Sequence, residues 1–300
     1  IAVAEHRNFT TAAQHVYVTQ PTLSMQIQKL EQELDLKIFD RAQKPIGLTA
    51  VGEKIIQQAH LIVAESDRIQ DVIQQEKGVI SGSFKLGIIP TVMSTLLPLF
   101  LQTVLKAYPK LILEIEEMPT QQIIENLEKG TLDAGIGATP LDYDHILEKP
   151  LYYEPFMVYA PTHSKLNKEK NIISDMLKNE QVLLLQDGHC FRNSALNICK
   201  IKHEAPLPFE IKSGSFETLV QLSEEGLGIT LLPYLHARKL SDIQQVNLKS
   251  FKAPEPAREV SMIYHQRKLK LHIIEALHDK IRAIIRGAIV YEDIKIISPK

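Results

Sequence analysis

Cysteine is scarce in this sequence, which has only two in 300 residues. That number excludes the disulfide framework of a small secreted protein and favours a reducing cytoplasm. Long apolar runs are also lacking: no stretch approaches the roughly 18 residues of a membrane-spanning helix, so no membrane partner is expected. Charge of one sign is lacking too, because the net charge of −2 excludes a strongly basic nucleic-acid coat. One small DNA-reading module is compatible with all three absences.

The length suggests at least two domains, and residues 1–48 predict a compact helical head. Two helical patterns meet at a break near Tyr17–Thr19, after which Thr19 can cap the second helix and Pro21 suits its first turn. One face of that helix is apolar, with Leu23, Ile27, Leu30 and Leu34. The opposite face carries Thr22, Ser24, Gln26 and Lys29. A hairpin is predicted over 43–49 from Pro45 and Gly47.

A long amphipathic helix is predicted over 49–77. Ile55, Ile62 and Ile69 recur every seven residues, with Ala59, Ser66 and Ile73 as a companion row. That spacing is typical of a coiled-coil seam and predicts a partner helix, the alternative being packing against the chain's own head. Residues 78–83 are interpreted as a hinge.

The remainder of the chain has an α/β pattern. Strand-like segments lie at 84–89, 111–116, 132–137, 155–160, 181–186 and 228–233, and helix-like segments lie at 92–107, 121–129 and 269–286. Strands that alternate with helices predict a mainly parallel sheet covered on both faces. The tail over 287–300 has no clear pattern.

The head resembles the winged helix-turn-helix of LysR-type transcriptional regulators. The segment "FTTAAQHVYVTQPTLSMQIQKLEQELDLKIFDR" with "GLTAVGE" carries this resemblance, and "EEGLGITLLP" (224–233) is also typical of that family. Within it, "IPTV", "DGHCFR" with a second cysteine, and "PEPARE" look like the OxyR group, the hydrogen-peroxide sensors. The resemblance implies an all-α winged helix-turn-helix head, a long linker helix and a two-lobed, periplasmic-binding-protein-like α/β effector domain. The lobes are expected at 84–155 with 257–286, and at 156–256.

Recognition of bases is expected from the second head helix, because a helix in the major groove needs polar side chains that reach base edges. Its candidates match the family's recognition helix and are Gln20, Pro21, Thr22, Ser24, Gln26 and Lys29. Arg41 and Lys44, beside the hairpin, are candidates for phosphate contacts. The head has five basic and five acidic residues, so binding cannot depend on net attraction and is expected to need placement and dimerisation. Paired heads would read a two-fold-related site.

The two cysteines lie in "QDGHCFRNSALNICK" (186–200). If Asp187 caps a helix that begins near His189, Cys190 lies in the first turn, where the helix end favours a thiolate. His189 and Arg192 would lower its pKa further, and Gly188 allows a sharp turn or a close approach of the backbone. A helix that also carries Cys199 would separate the two Cα atoms by about 13.5 Å, too far for a disulfide. The alternative is two unrelated buried cysteines.

The resemblance to the OxyR group implies roles for these residues. Cys190 would be the peroxidatic cysteine and Cys199 the resolving one, and the two would form an intramolecular disulfide. His189 would help hold peroxide, Thr91 and Thr120 would orient it, and Arg258 would stabilise the thiolate. Taken alone, Thr91 and Thr120 could equally be helix caps.

The sequence therefore predicts a cytoplasmic, redox-sensing transcriptional regulator that is not an enzyme. No cofactor or metal is expected. The expected partners are promoter DNA, hydrogen peroxide as signal, a second copy through the linker helix, a tetramer through the effector domains, RNA polymerase and a cytosolic thiol reductant. Three alternatives stay open: a LysR-type regulator of a small organic effector in the inter-lobe cleft, a thiol peroxidase, and an exterior solute-binding protein.

Overall fold

A computed structural model describes residues 1–76, 79–188, 190–199, 213–266, 270–287, 289 and 294–299, without the side chains of residues 64, 67, 68 and 70–76. The contacts within it divide the chain into two units. The first consists mainly of residues 1–73, and the second contains nearly all of the remainder.

The first unit contains the helical head and a long helix. Its elements are α1 (Ala2–His6), α2 (Phe9–His15), α3 (Gln20–Glu33), β1 (Phe39–Asp40), β2 (Gly47–Leu48) and α4 (Ala50–Glu76). The turn between α2 and α3 lies at the predicted break, and the Thr19 side chain accepts a hydrogen bond from the Thr22 amide as the predicted cap. The strands β1 and β2 pair antiparallel, which forms the predicted hairpin. The long helix occupies Ala50–Glu76 of the predicted range 49–77, whose last residue lies outside the described residues.

The predicted apolar face of α3 is wrong in its second half. Leu30 and Leu34 are 43% and 46% exposed, whereas Leu23 and Ile27 pack against the core of the head. The inward row continues to Glu31, which is 2% exposed, because successive positions four apart lie on one side of a helix. A buried acid therefore stands where the pattern predicted leucines.

The second unit is a mixed α/β structure. Its strands are β3 (Ser81–Ile88), β4 (Lys110–Glu117), β5 (Ala134–Thr139), β6 (Ile146–Tyr159), β7 (Asn171–Ile172), β8 (Val182–Leu183), β9 (Ile229–Pro233), β10 (Leu248–Phe251), β11 (Glu255–His265) and β12 (Ile294–Ile296). Its α-helices are α5 (Pro90–Ala107), α6 (Thr120–Lys129), α7 (Cys190–Cys199), α8 (Phe216–Glu224), α9 (Tyr234–Ala237), α10 (Asp242–Gln245) and α11 (Leu271–Arg286). Two 3₁₀ helices lie at Lys165–Lys168 and Ser174–Asn179.

The prediction of a mainly parallel sheet is wrong, because two long strands run against their neighbours. The strand order is β4-β3-β5-β11-β6-β10-β7, with β9 also on β6. The pairs among β3, β4 and β5 are parallel, but β11 is antiparallel to both β5 and β6. The segment near 255–265 carried no strand prediction, since its proline and charged residues hide the pattern.

Two separate cores define the two lobes of this unit. The first, here called lobe I, is built on β3, β4 and β5 with α5, α6 and α11, and the second, lobe II, on β8, β9 and β10 with α7 and α8. The strand β6 belongs to both, because it pairs with β11 as far as Pro155 and with β9 from Phe156. Side chains near this change of partner lie between the lobes.

The chain end also contributes to the lobes. The strand β12 pairs parallel with β11, in a segment for which no element was predicted. Beyond it, the Ser298 carbonyl accepts a 3.4 Å hydrogen bond from Asn197 Nδ2 on α7. The last described residues therefore touch the helix that carries the two cysteines.

Candidate functional site

The two cysteines occupy opposite ends of one helix. Cys190 is the first residue of α7 and Cys199 is the last, and both are free thiols. Nine helical steps separate Cα atoms by about 13.5 Å, whereas a disulfide requires about 4.4–6.8 Å. The predicted spacing of the two residues on one helix is therefore confirmed. A bond between them requires α7 to change its structure.

Cys190 lies at the junction of the lobes, half-buried against the core of lobe I. Burial raises the pKa of its thiol, while the Arg258 charge, the Thr120 hydroxyl and the backbone of Phe191 and Ala138 act in the opposite direction. The predicted low pKa is therefore wrong in its net direction. The reason is that desolvation disfavours the thiolate more strongly than these groups favour it.

The predicted role of Arg192 is also corrected. Its Nε atom pairs with Asp187 Oδ1 at 2.9 Å, and its Nη1 atom donates to the Leu185 carbonyl at 3.0 Å. Asp187 thus binds a side chain of the first helical turn, and the main positive charge acting on Cys190 comes from Arg258. His189 lies outside the described residues.

Gly188 provides the turn before the helix. Its φ is +90°, in the left-handed region that favours glycine, and an added Cβ would meet no atom of the described residues within 4 Å. Of the two predicted reasons for this glycine, the sharp turn is confirmed.

Arg258 is the centre of a buried network. Its guanidinium donates to Glu154 Oε2 from Nε at 2.9 Å and from Nη2 at 2.7 Å. It also donates from Nη1 to Thr91 Oγ1 at 3.0 Å and from Nη2 to the Thr91 carbonyl at 3.1 Å. The second carboxylate oxygen of Glu154 accepts the Leu235 amide at 2.9 Å. Residues of α5, β6, α9 and β11 are therefore held in one arrangement.

The two threonines lie at the first turns of their helices. Thr91 is not a cap of α5, because the capping position is Ile89 and the Thr91 hydroxyl accepts from Arg258. Thr120 Oγ1 is buried and, within the described part of the chain, has no partner at ordinary hydrogen-bond distance. It faces the Cys190 thiol closely enough to lower its pKa. A buried, unpartnered hydroxyl beside a thiol suits a small polar molecule that both accepts and donates hydrogen bonds.

The residue after Cys190 anchors the start of α7. The Phe191 ring packs on Phe156 and Phe216, with ring centroids 5.0 and 4.9 Å apart. The Arg258 guanidinium lies over the same ring at 5.3 Å from its centroid. Phe191 is 3% exposed, so any rearrangement of α7 that moves Cys190 must disturb this cluster.

Cys199 has a different environment. It is fully buried in the apolar core of lobe II, and burial alone raises the pKa of its thiol to about 12. A thiol that stays protonated is a poor nucleophile, because the thiolate is the reactive form. Cys199 is therefore inert while α7 is intact.

The predicted recognition helix, α3, exposes only part of the set of residues predicted to contact DNA. Gln20, Pro21, Gln26 and Lys29 are exposed, whereas Thr22 and Ser24 are half-buried. The Thr22 hydroxyl bonds with the Thr19 hydroxyl at 2.8 Å, and the partial burial of Thr22 and Ser24 corrects the prediction that the whole set lies on the exposed face. Met25, 64% exposed, lies on the outer surface instead.

Lys44 and Arg41, the two residues predicted to contact phosphate, have different surroundings. Lys44 is exposed in the turn between β1 and β2. Arg41 lies over the Phe9 ring at 5.0 Å and approaches the buried Glu31 carboxylate at 3.5 Å. Because these contacts occupy its guanidinium, Arg41 fixes the hairpin against α3 in addition to any contact with DNA.

Family models match nearly the whole chain. Residues 1–53 match "Bacterial regulatory helix-turn-helix protein, lysR family", and residues 77–285 match "LysR substrate binding domain". The chain belongs to the LysR family. The LysR architecture of a winged head and a two-lobed α/β effector domain is the one described above.

Within the LysR family, this chain is similar to OxyR proteins. The "DNA-binding transcriptional dual regulator OxyR" of Escherichia coli (strain K12) is 34% identical over 291 residues, which is 96% of this chain and 94% of that protein. A full-length OxyR cysteine variant from Pseudomonas aeruginosa is 33% identical with a TM-score of 0.79, covering 94% of this chain and 91% of that one. A hydrogen-peroxide-bound OxyR variant from Corynebacterium glutamicum is 25% identical with a TM-score of 0.64, covering 96% and 90%.

Some features of this LysR-family site were not predicted from the sequence. Glu154, the buried partner of Arg258, is one, and its signal was a single acid within the apolar run "YYEPFMVY". Glu31 of the head is another, since its carboxylate accepts hydrogen bonds from the amides of Ile38 and Phe39.

No described helix has the length and apolarity needed to cross a membrane.

Proposed function

We propose that this protein is a transcriptional regulator that hydrogen peroxide switches through Cys190 and Cys199. The observation that carries the proposal is the pair of free thiols at opposite ends of α7, one in a polar junction and the other in a dry core. The relatives named hydrogen peroxide-inducible genes activators support it, as does the peroxide-bound structural neighbour. The proposed peroxide-binding groups are Thr120 and Arg258, which act on the Cys190 thiol, and Thr91, which is bonded to Arg258.

The chemistry takes two steps. The Cys190 thiolate attacks one peroxide oxygen, an S–O bond forms, the O–O bond breaks, and the departing hydroxide takes a proton to become water. The product is a sulfenic acid. The Cys199 thiolate then attacks that sulfur, an S–S bond forms, and the sulfenic oxygen leaves as water. The two thiols lose two electrons in total, and peroxide gains them.

The second step requires α7 to rearrange. Cys199 must leave the core of lobe II, because the helical spacing of about 13.5 Å excludes a disulfide. Moving a buried aromatic such as Phe191 into water costs about 1.5–3 kcal/mol, and the new covalent bond must offset that cost. Oxidation therefore stabilises a second structure of the region around α7.

The oligomeric part of the proposal follows from α4. Ile62 and Ile69 are 62% and 64% exposed at the heptad spacing, which fits a seam awaiting a second copy. Ile73, also assigned to the seam, has a side chain outside the described atoms. We infer dimers through α4 that bind promoter DNA in both redox states, and tetramers through the effector domains. Contact with RNA polymerase, a cytosolic thiol reductant and a cytoplasmic location complete the proposal.

Oxidation of the reduced full chain by one equivalent of hydrogen peroxide tests the proposal. Mass spectrometry of the digested protein is expected to find Cys190 linked to Cys199. Cys199→Ala should stop at the sulfenic acid, and Cys190→Ser should consume no peroxide. Thr120→Val should form the same disulfide about 10–100-fold more slowly, because a hydrogen bond to a charged group contributes about 1.5–3 kcal/mol.

Footprints of the reduced and oxidised protein on one promoter test the output. We expect binding in both states with different protected lengths. A Cys190→Ser protein that still responds to an organic inducer and ignores peroxide would instead support an inter-lobe effector. A wild-type protein that turns over many peroxide molecules per chain with a reductant would support a peroxidase.

A further inference from the structure

Glu154 is a buried acid with both of its carboxylate oxygens occupied. It lies on β6, one residue before the strand's partner changes at Pro155, and its side chain is 0% exposed. Oε2 accepts two N–H groups of Arg258, and Oε1 accepts the Leu235 amide at 2.9 Å. The two oxygens thus bind donors from two different elements, β11 and α9.

The hydrogen bonds of Arg258 leave one of its N–H groups for a bound molecule. A guanidinium has five N–H groups. Nε and one N–H of Nη2 bind Glu154, while the other N–H of Nη2 and one of Nη1 bind Thr91. The second N–H of Nη1 has no partner in the described part of the chain. Glu154 therefore limits the guanidinium to one donor for a bound molecule.

Thr91 is set by the same arrangement. Its Oγ1 accepts from Arg258 Nη1 at 3.0 Å, so its own hydrogen can be donated elsewhere. Arg258 also acts on the Cys190 thiol. One N–H group of Arg258 and the O–H group of Thr91, which Glu154 holds through Arg258, are then available in the network that acts on the Cys190 thiol.

We propose that Glu154 is a positioning residue that orients Arg258 and Thr91 toward hydrogen peroxide. This inference rests on the proposed function. The N–H and O–H groups would bind the oxygen that departs as hydroxide, where the negative charge develops, and fixed donors are most effective at that place. Glu154 acts only through its partners, since they, not Glu154, approach the reacting atoms.

A carboxylate is needed because both oxygens must accept. In Glu154→Gln, the single amide oxygen can accept either from Arg258 or from the Leu235 amide, and the NH₂ group would face the other donor. Arg258 would then lose its fixed orientation. Glu154→Asp keeps two accepting oxygens but is one methylene shorter, so we expect a smaller effect.

The decisive measurement is a ratio of two rates at the same pH. One is oxidation of Cys190 by hydrogen peroxide, and the other is its alkylation by iodoacetamide, each in a Cys199→Ala background. Both reactions need the thiolate, so the thiolate fraction cancels, while only peroxide needs the oriented donors. We expect Glu154→Gln to lower the peroxide-to-alkylation ratio about 10–100-fold, as for loss of a hydrogen bond to a charged group. Glu154→Asp should give an intermediate ratio.

Glu259→Gln is the matched control. Glu259 is on β11, pairs across the strands with Tyr153, and accepts from Thr139 at 2.7 Å, so it has no part in the Arg258 network. Its ratio should equal that of the parent protein. An unchanged ratio in Glu154→Gln would overturn the proposal; if that variant does not fold, an unchanged ratio in Glu154→Asp would do so. A parent protein whose Cys190 reacts with peroxide no faster than a free cysteine would instead contradict the proposed function itself.

Discussion

The two ends of α7 place the same functional group in opposite surroundings. At the first end, Cys190 is near a guanidinium, a hydroxyl and backbone groups that favour its thiolate. At the other end, Cys199 is in an apolar core where burial alone acts on its pKa. The surroundings at the lobe junction and in the core, and not the thiol group itself, distinguish the two cysteines. This difference also shows why one helix can keep the two thiols in separate roles.

The anchoring of the two ends differs as well. Phe191 ties the first end to the aromatic cluster and to Arg258, the same group that acts on the reactive sulfur. Ile198 and Cys199 tie the second end to the core of lobe II by apolar contact. A peroxide-driven change that begins at the first end must therefore extract the second end from its core. The residue proposed to react with peroxide and the residue that must leave its core are therefore nine positions apart.

The largest expected effect is a difference in alkylation. In the reduced protein at pH 7.5, iodoacetamide should modify Cys190 at least about 100-fold faster than Cys199, because opening a core by about 3 kcal/mol exposes it about 1% of the time. Mass spectrometry of timed samples measures both rates. Urea at unfolding concentrations is the control, since it should make the two rates similar. Equal rates in the folded protein would remove the contrast between the two ends.

Phe191→Ala tests how strongly Phe191 anchors the first end of α7. Loss of a buried phenylalanine costs about 3–5 kcal/mol, and we expect that loss to fall on the reduced structure, in which Phe191 is packed. The disulfide should then be favoured by more than about 100-fold in a glutathione redox titration. Phe251→Ala, in the same lobe core but on β10, is the control and should shift the titration less. Equal shifts would show that Phe191 has no special connection to the switch.

Local patterns predicted much of the fold. The cap at Thr19, the hairpin near Pro45 and the helix bounds of α4 and α5 follow from residues adjacent in sequence, and short-range rules describe them. The antiparallel strand β11 was missed, because its Pro256, Arg258 and Glu259 contradict a strand pattern until their distant partners are known. Long-range pairing is what single-sequence patterns do not contain.

The same limit applies to the site. The spacing of Cys190 and Cys199 on one helix could be predicted, because it is local. The net direction of the Cys190 pKa could not, because it depends on burial and on residues more than 50 positions away, such as Thr120 and Arg258. Arg192 looked like the relevant charge because it is near in sequence, but in space it binds Asp187.

The smallest expected effect depends only on the buried end of α7, at Cys199. Burial raises the pKa of Cys199 from 9.0 to about 12, so the folded protein holds its thiol proton more tightly than the unfolded chain does. The stability linked to that proton is complete below pH 9 and is lost as the pH rises toward 12. Between about pH 9.5 and 10.5, the free energy of unfolding of the reduced parent should fall about 1.4 kcal/mol more steeply per pH unit than that of Cys199→Ala. Cys190 is present in both proteins, so its own raised pKa cancels from the difference. Urea unfolding of the two proteins at several pH values measures it, and parallel curves would mean that the Cys199 thiol is solvated and that the two ends of α7 are less different than their surroundings indicate.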